Sequence, residues 1–414
     1  MDNTIETEPK TKHTKVGEIP KDWSLDKLRK NAIVYFSNVD KHIKQDEISV
    51  SLCNYQDVYY HDYITSSIPF SKGSVKPSEF HKFQLKKGDV IITKDSEDRK
   101  DIAVPAYVIE EIPNLVCGYH LALIRPNEAH LDGIFLSLLF QSHSINHYFQ
   151  KLANGVTRFG LTTDSIKNAL IPVPPLNEQQ KIAEILSTWD LAISTTQCLI
   201  NELKIRNIGL SQQLLTGKKR LKEFKEEWKD IPLGKCAKNV NIRNKETHGT
   251  ENLYAVTKKS GIIPMREQVK GENFNNCKIV RQNWFAYNPM RINIGSIALW
   301  EKSEEIMVSG DYVVFECDEN KLLPQYLKHL RKTVIWENHM LIAGNGSVRI
   351  RIYFKDLAHF KFPLPPVIEQ KSILQVLDGA NKELKLYQQQ LDFLKEQKKG
   401  LMQKLLTGEI RVRL

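Results

Sequence analysis

Over most of the chain, apolar residues come in short runs broken by Gly, Pro, Asn and Asp, but in two stretches they keep a strict 4,3 rhythm. The first stretch reads Ile182, Leu186, Trp189, Ile193, Thr196, Ile200, Leu203, Asn207, Leu210 and Leu214. The second reads Ile373, Leu377, Ala380, Leu384, Tyr387, Leu391, Leu394, Lys398, Leu401 and Leu405. A sustained a/d repeat of this kind predicts a long helix whose narrow apolar seam meets another helix. Each stretch follows a proline cluster (Pro172, Pro174, Pro175; Pro363, Pro365, Pro366), which disfavours helix up to that point and permits one after it. Each stops at Thr-Gly, Thr216-Gly217 and Thr407-Gly408, where glycine suits a left-handed C-cap. About 40 residues at 1.5 Å each give a helix of roughly 60 Å. The simplest partner for each seam is the other; the alternative is two separate amphipathic helices, each packed on its own domain. Asn207 and Lys398 are the strongly polar seam positions, and they are equivalent. They either fix register, as polar seam residues often do, or mark where the seam opens to solvent.

The two stretches are copies. Residues 171–221 superpose on 362–412 with an offset of 191 and no gap, and 18 of the 51 positions are identical. The shared positions include Glu178-Gln179 with Glu369-Gln370, and the LLTG run with Arg220 and Arg411 after it. A period this long is not a solenoid repeat; it implies duplication of a whole domain with its spacer. The segments between are weaker echoes: Trp228 and Leu233 repeat the spacing of Trp23 and Leu28, and Asn345-Gly346 with Arg349 lies 191 residues after Asn154-Gly155 with Arg158. The expected organisation is a disordered lead-in (1–15), a globular segment (16–170), a helix (171–221), a second globular segment (222–361) and a second helix (362–414). Runs such as 85–93 and 103–109 read as strands, and Asp132 to Ala153 as a helix, giving an α+β class.

Composition adds a partner type. The net charge is +10 with a pI near 9.0, which favours an anionic partner such as nucleic acid. Six cysteines without a CxxC pair argue against a structural zinc site or a disulfide framework. The polar start does not read as a signal peptide and no apolar run is long enough to span a membrane, so a cytoplasmic, membrane-free protein is expected.

The duplicated IPVPPLNEQQ and FPLPPVIEQK openings, the long helices ending LLTG, and the GDVIITKDSE and WFAYNPMRINIGS blocks resemble the specificity subunit of type I restriction–modification systems, over essentially the whole chain. The resemblance implies two α/β target-recognition domains separated by two long antiparallel coiled-coil helices, an internal pseudo-two-fold repeat. It implies a non-catalytic DNA-recognition subunit in which each domain reads one half of a bipartite, asymmetric double-stranded DNA target. The helices would set the gap and dock two methyltransferase subunits and, through them, the restriction/translocase subunits. No cofactor is expected in this chain; S-adenosylmethionine, ATP and Mg²⁺ would belong to the partner subunits. A free-standing sequence-specific DNA-binding protein or regulator with two unlike readers is the alternative.

Base and phosphate contacts call for basic and amide side chains on loops. In the first segment the candidates are Lys94, Asp95 and Ser96 after Thr93, then Arg99, Lys100, Asn154, Thr157 and Arg158. In the second they are Tyr287, Asn288, Arg291, Asn293, Asn345, Ser347, Arg349 and Arg351, whereas Lys258-Lys259 reads as an ordinary basic loop. Catalytic motifs do not fit. Thr216-Gly217-Lys218-Lys219 ends a helix where a phosphate-binding loop must begin one. Asn288-Pro289-Met290 lacks the rest of an amino-methyltransferase motif, His143 and His147 have no third ligand, and Glu396-Gln397-Lys398 lies within a helix.

Overall fold

The structure, a computed structural model, describes residues 11–245, 248–266, 274–343 and 351–413. The chain forms two compact units, Met1–Thr196 with Gln390–Leu414, and Gln197–Gln389. The division falls inside the long helices, so each unit holds one globular segment, the first half of one long helix and the second half of the other.

Among the described residues the first unit is built on a five-stranded sheet, ordered Ala32–Phe36, Leu121–Pro126, Val90–Thr93, Pro105–Val108 and Tyr63–Ile64. The second unit repeats the first four positions with Ala237–Val240, Val313–Cys317, Trp284–Tyr287 and Ile297–Leu299. The same strand order thus stands behind interiors with little common sequence. Both faces of these sheets are covered, which is why their strands read as continuous apolar runs. Val90 and Ile92 join a core with Phe135 and Leu139, while Ile91 between them joins a second core with Leu52 and Leu123. In the second unit Phe285 and Tyr287 face one core and Ala286 the other. The helix expected from Asp132 to Ala153 is two helices, Gly133–Gln141 and His143–Leu152. Buried Ser142 between them is extended, and its hydroxyl donates to the Leu139 carbonyl at 2.6 Å.

The long helices run Leu176–Leu215 and Val367–Leu406, 40 residues each. Within the first unit they are antiparallel: Ile182 and Leu186 share a core with Leu405 and Leu406, and the Lys398 ammonium meets the Asp190 carboxylate. Within the second, Leu214 and Leu215 share a core with Ile373 and Leu377, and Asn207 Nδ2 donates to the Ala380 carbonyl at 2.9 Å. The a/d positions are buried or half-buried throughout, whereas Leu191, Ile205 and Ile208 on other faces are exposed. Neither polar seam residue opens to solvent, because each is satisfied by the facing helix. Asn207 Oδ1 also accepts from Arg206, whose Nη2 reaches Glu383 at 2.6 Å, and Asp190 accepts from Tyr63 at 3.1 Å.

The identical residues of the duplicated stretch form the same clasp in each unit. Glu178 is buried in the first turn of its helix and accepts from Arg411 Nε (2.6 Å), Arg411 Nη2 (2.8 Å) and Trp23 Nε1 (3.1 Å). Glu369 accepts from Arg220 Nε and Nη2, both at 2.7 Å, and from Trp228 Nε1 at 2.9 Å. The neighbouring glutamines are equally buried. Gln179 donates to the carbonyls of Pro174 and His130 and accepts from Asp132 N; Gln370 donates to those of Pro365 and Lys321 and accepts from Leu323 N. Gly217 and Gly408 take φ of +72° and +73°, and a Cβ there would stand 3.0 Å from the Trp228 ring and 3.2 Å from the Trp23 ring. Glycine is therefore needed twice over, for the left-handed turn and for the indole packed on it. Beside the first clasp, the Arg411 guanidinium hydrogen-bonded to Asp22 holds that carboxyl below its ordinary pKa.

Replacing Arg220 by alanine leaves a fully buried carboxylate with only an indole N–H. Because Arg220 is itself a quarter exposed, the expected loss is at the low end of about 3–5 kcal/mol. Urea unfolding should show a correspondingly lower midpoint, and an unchanged midpoint would mean that the clasp does not hold the second unit together.

Candidate nucleic-acid interface

In the first unit the strand Val90–Thr93 runs into a loop that is tied back by a short antiparallel pairing, Asp95–Ser96 with Phe159–Gly160. The Leu161 N–H donates to the Lys94 carbonyl at 2.8 Å. Two candidate blocks some 60 residues apart thereby become one surface. On it Asp95 accepts from Arg158 Nη2 at 2.8 Å and lies 2.7 Å from His120 Nδ1. Arg99 stacks its guanidinium 4.7 Å from the centre of the Phe159 ring. Arg99, Lys100, Asn154, Thr157 and Arg158 are exposed, and Val156 projects beside them at 92% exposure.

The second unit builds the corresponding place in the same way. The strand Trp284–Tyr287 leads into a loop containing the 3₁₀ turn Ile292–Ile294, and the Ile352 N–H donates to the Pro289 carbonyl at 3.0 Å. Ile352 lies 191 residues after Leu161, so the same donor position ties the loop in the duplicate. The loop is held from inside: Asn288 Oδ1 accepts from Met290 N at 2.9 Å, and the Arg291 carbonyl accepts from Ser296 N at 2.9 Å. Arg291, Asn293 and Arg351 are exposed around it, with Met290, Ile294 and Tyr353. Both surfaces have exposed guanidinium groups on loops anchored to a buried sheet, an arrangement suited to duplex DNA.

Comparison with known proteins decides what these surfaces belong to. The family model described as "Type I restriction modification DNA specificity domain" matches residues 39–205 and again 225–396. The chain belongs to this family. It is a type I specificity subunit, the DNA-recognition component of such a system and not one of its enzymes. A Methanocaldococcus jannaschii chain assigned as the type I restriction enzyme MjaX specificity subunit is 26% identical, covering 97% of each chain. The MjaIX specificity subunit of the same organism is 23% identical over 98% of this chain and 97% of that one. Among solved structures, the HsdS subunit from Thermoanaerobacter tengcongensis has the same fold, with TM-score 0.56 and 18% identity over 95% of this chain and 98% of that one. So has a chain from a study of complex assembly and conformational transition of the type I R-M system, with TM-score 0.59 and 17% identity over 95% and 99%.

For this specificity subunit the structure corrects several candidate residues. Tyr287 is fully buried: strand alternation turns it into the core with Phe285, and burial pushes its phenol pKa up. Lys94 is half-buried, donating to the Ser37 carbonyl at 3.1 Å and resting over the Phe36 and Tyr119 rings; its pKa is lowered by burial, with Asp95 opposing. Ser96 is buried against the Tyr55 hydroxyl, and Thr93 is buried between Asp101 O and Val104 N. Thr93, Lys94 and Ser96 shape the first unit's loop from beneath. Asn345, Ser347 and Arg349 lie outside the described residues. Sequence reasoning missed His120, whose φ of +71° turns it toward Arg158, and no local signal marks it. It also set Lys258 aside, yet Lys258 lies against the second loop, its Cγ 3.4 Å from where a Cβ on Gly295 would stand.

Because the Tyr287 hydroxyl is buried without a hydrogen-bond partner among the described residues, Tyr287→Phe should leave DNA recognition unchanged and stability equal or raised by up to about 1 kcal/mol. Thermal unfolding and a DNA-binding titration check both; weakened DNA binding at unchanged stability would return Tyr287 to the interface.

Proposed function

We propose that each unit reads one half of a bipartite, asymmetric DNA target through its loop surface. The first unit would use Arg99, Lys100, Asn154, Thr157 and Arg158, with Asp95 orienting Arg158. The second would use Asn288, Arg291, Asn293 and Arg351. The observation that carries this reading is the recurrence of one loop architecture, tied by the Leu161 and Ile352 N–H groups, with different side chains on it. Equal scaffolds with unlike loops suit two unlike half-sites, and a duplicated chain can meet a two-part site as a symmetric dimer meets a palindrome.

The long helices then serve as the spacer that sets the gap between half-sites, and as the docking surface for two methyltransferase subunits and the restriction subunits they bring. S-adenosylmethionine, ATP and Mg²⁺ belong to those partners. Support for docking comes from apolar side chains that the helix seams leave outside. In the first unit these are Leu191 and Phe393, in the second Ile205, Ile208 and Leu386, all more than half exposed.

Co-expression with the adjacent methyltransferase, followed by single-molecule methylation sequencing, tests this. The expected result is a bipartite, asymmetric methylated motif, of which exchange of residues 288–293 alters one half only. Change in both halves, or tight site-specific binding by the lone chain without any methyltransferase complex, would replace this reading with that of a free-standing DNA-binding protein.

A further inference from the structure

The first unit carries a second basic feature, separate from the loop residues that the sequence singles out. A groove of about 770 Å³ runs along the edge strand Ala32–Phe36. It is lined by Arg29, by Lys82, and by Thr163, Asp164 and Lys167 of the short helix that follows the loop surface. Among the described residues none of the three cations makes an ion pair; the Lys82 ammonium rests 5.0 Å from the centre of the Phe83 ring. One carboxylate, Asp164, shares the lining, so the groove has three cations against one anion. The groove thus carries a local excess of positive charge, which favours an anion over a cation there.

The groove is continuous with the loop surface. The Phe36 ring at the end of the edge strand lies under the Lys94 ammonium, at the start of the reading loop. Thr163 and Asp164 follow two and three residues after Leu161, whose N–H ties that loop to the Lys94 carbonyl. Five strand residues at about 3.3 Å each span roughly 16 Å, and one DNA strand carries a charge every 3.4 Å of helix axis. Because a strand winds around that axis, its phosphates lie further apart along their own path than this rise, and the groove has the length of about two or three of them.

We infer that Arg29, Lys82 and Lys167 form a phosphate track that holds one DNA strand beside the base-reading loop of the first unit. The inference rests on the proposed reading of DNA by this unit. The track contributes affinity and register but no sequence preference, since phosphates are the same in every sequence. At the positions corresponding to Arg29 and Lys167 the second unit has Gly234 and Ala358, so two of the three cations are not repeated there.

The test measures DNA affinity of the full chain, assembled with its methyltransferase partners, against salt concentration. Each lost phosphate contact should reduce the slope of log affinity against log salt by about 0.9. The combined variant Arg29→Gln, Lys82→Gln, Lys167→Gln should therefore lower the slope by about 2–3, weaken target and unrelated duplexes by the same factor, and leave the methylated motif unaltered. Asp164→Asn should tighten binding to both duplexes, an effect that misfolding cannot produce. A wild-type slope in the triple variant overturns the track while leaving the loop readers intact. Loss of the methyltransferase partner from the purified triple variant also overturns it, and makes the groove a protein contact. If the wild-type assembly binds no duplex at all, the proposed function itself fails.

Discussion

A carboxylate removed from water at the start of each long helix is the constraint on which the architecture depends. Glu178 and Glu369 cannot be buried unless cations and donors meet them, and their partners come from two distant parts of the chain. The indole of Trp23 or Trp228 belongs to the globular segment; the guanidinium of Arg411 or Arg220 follows the end of the other helix. One charge thus joins a helix beginning, a helix ending and the domain between. In the first unit it also brings the two extremes of the described chain together, through Trp23 and Arg411. The paired glutamines add a second tie, satisfying carbonyls before the helix and beside the neighbouring one, so that each helix leaves its domain in a fixed direction.

From that frame the loop surfaces gain rigidity without needing conserved side chains of their own. Their flanking strands are buried on both faces, and backbone hydrogen bonds pin each loop, among them one donated by Leu161 or by its counterpart Ile352. Backbone ties make no demand on side-chain identity. The exposed positions can therefore differ between the units, Arg158 and Arg99 in one, Arg291 and Asn293 in the other, while the scaffold remains. Recognition by loops on a rigid base is the general solution where specificity must change and stability must not.

The seam between the long helices shows how polar groups can be placed where apolar ones are expected. Asn207 and Lys398 occupy equivalent positions, yet one finds a backbone carbonyl and the other a carboxylate. Sliding either helix by a turn would leave a buried amide or a largely buried ammonium without its partner, a penalty of about 1–3 kcal/mol for the amide alone. The polar positions thus oppose slippage that a purely apolar seam would tolerate.

The sequence by itself determined the duplication, the extent and seam of both helices, the glycine that ends each, and membership of the specificity family. These are legible because a heptad, a proline cluster or a repeated block is a local pattern, carried by residues near one another in the chain. Tertiary structure alone decided that Tyr287 is core and Lys94 a support, because strand alternation turns neighbours to opposite faces and only the packing says which face is covered. It alone joined Asp95 to Arg158 and His120, set Lys258 beside Gly295, and gathered Arg29, Lys82 and Lys167 around one groove. Each of these meetings depends on how strands are ordered across a sheet, and strand order is fixed by burial over long sequence separations, which leaves no mark on the residues that it brings together.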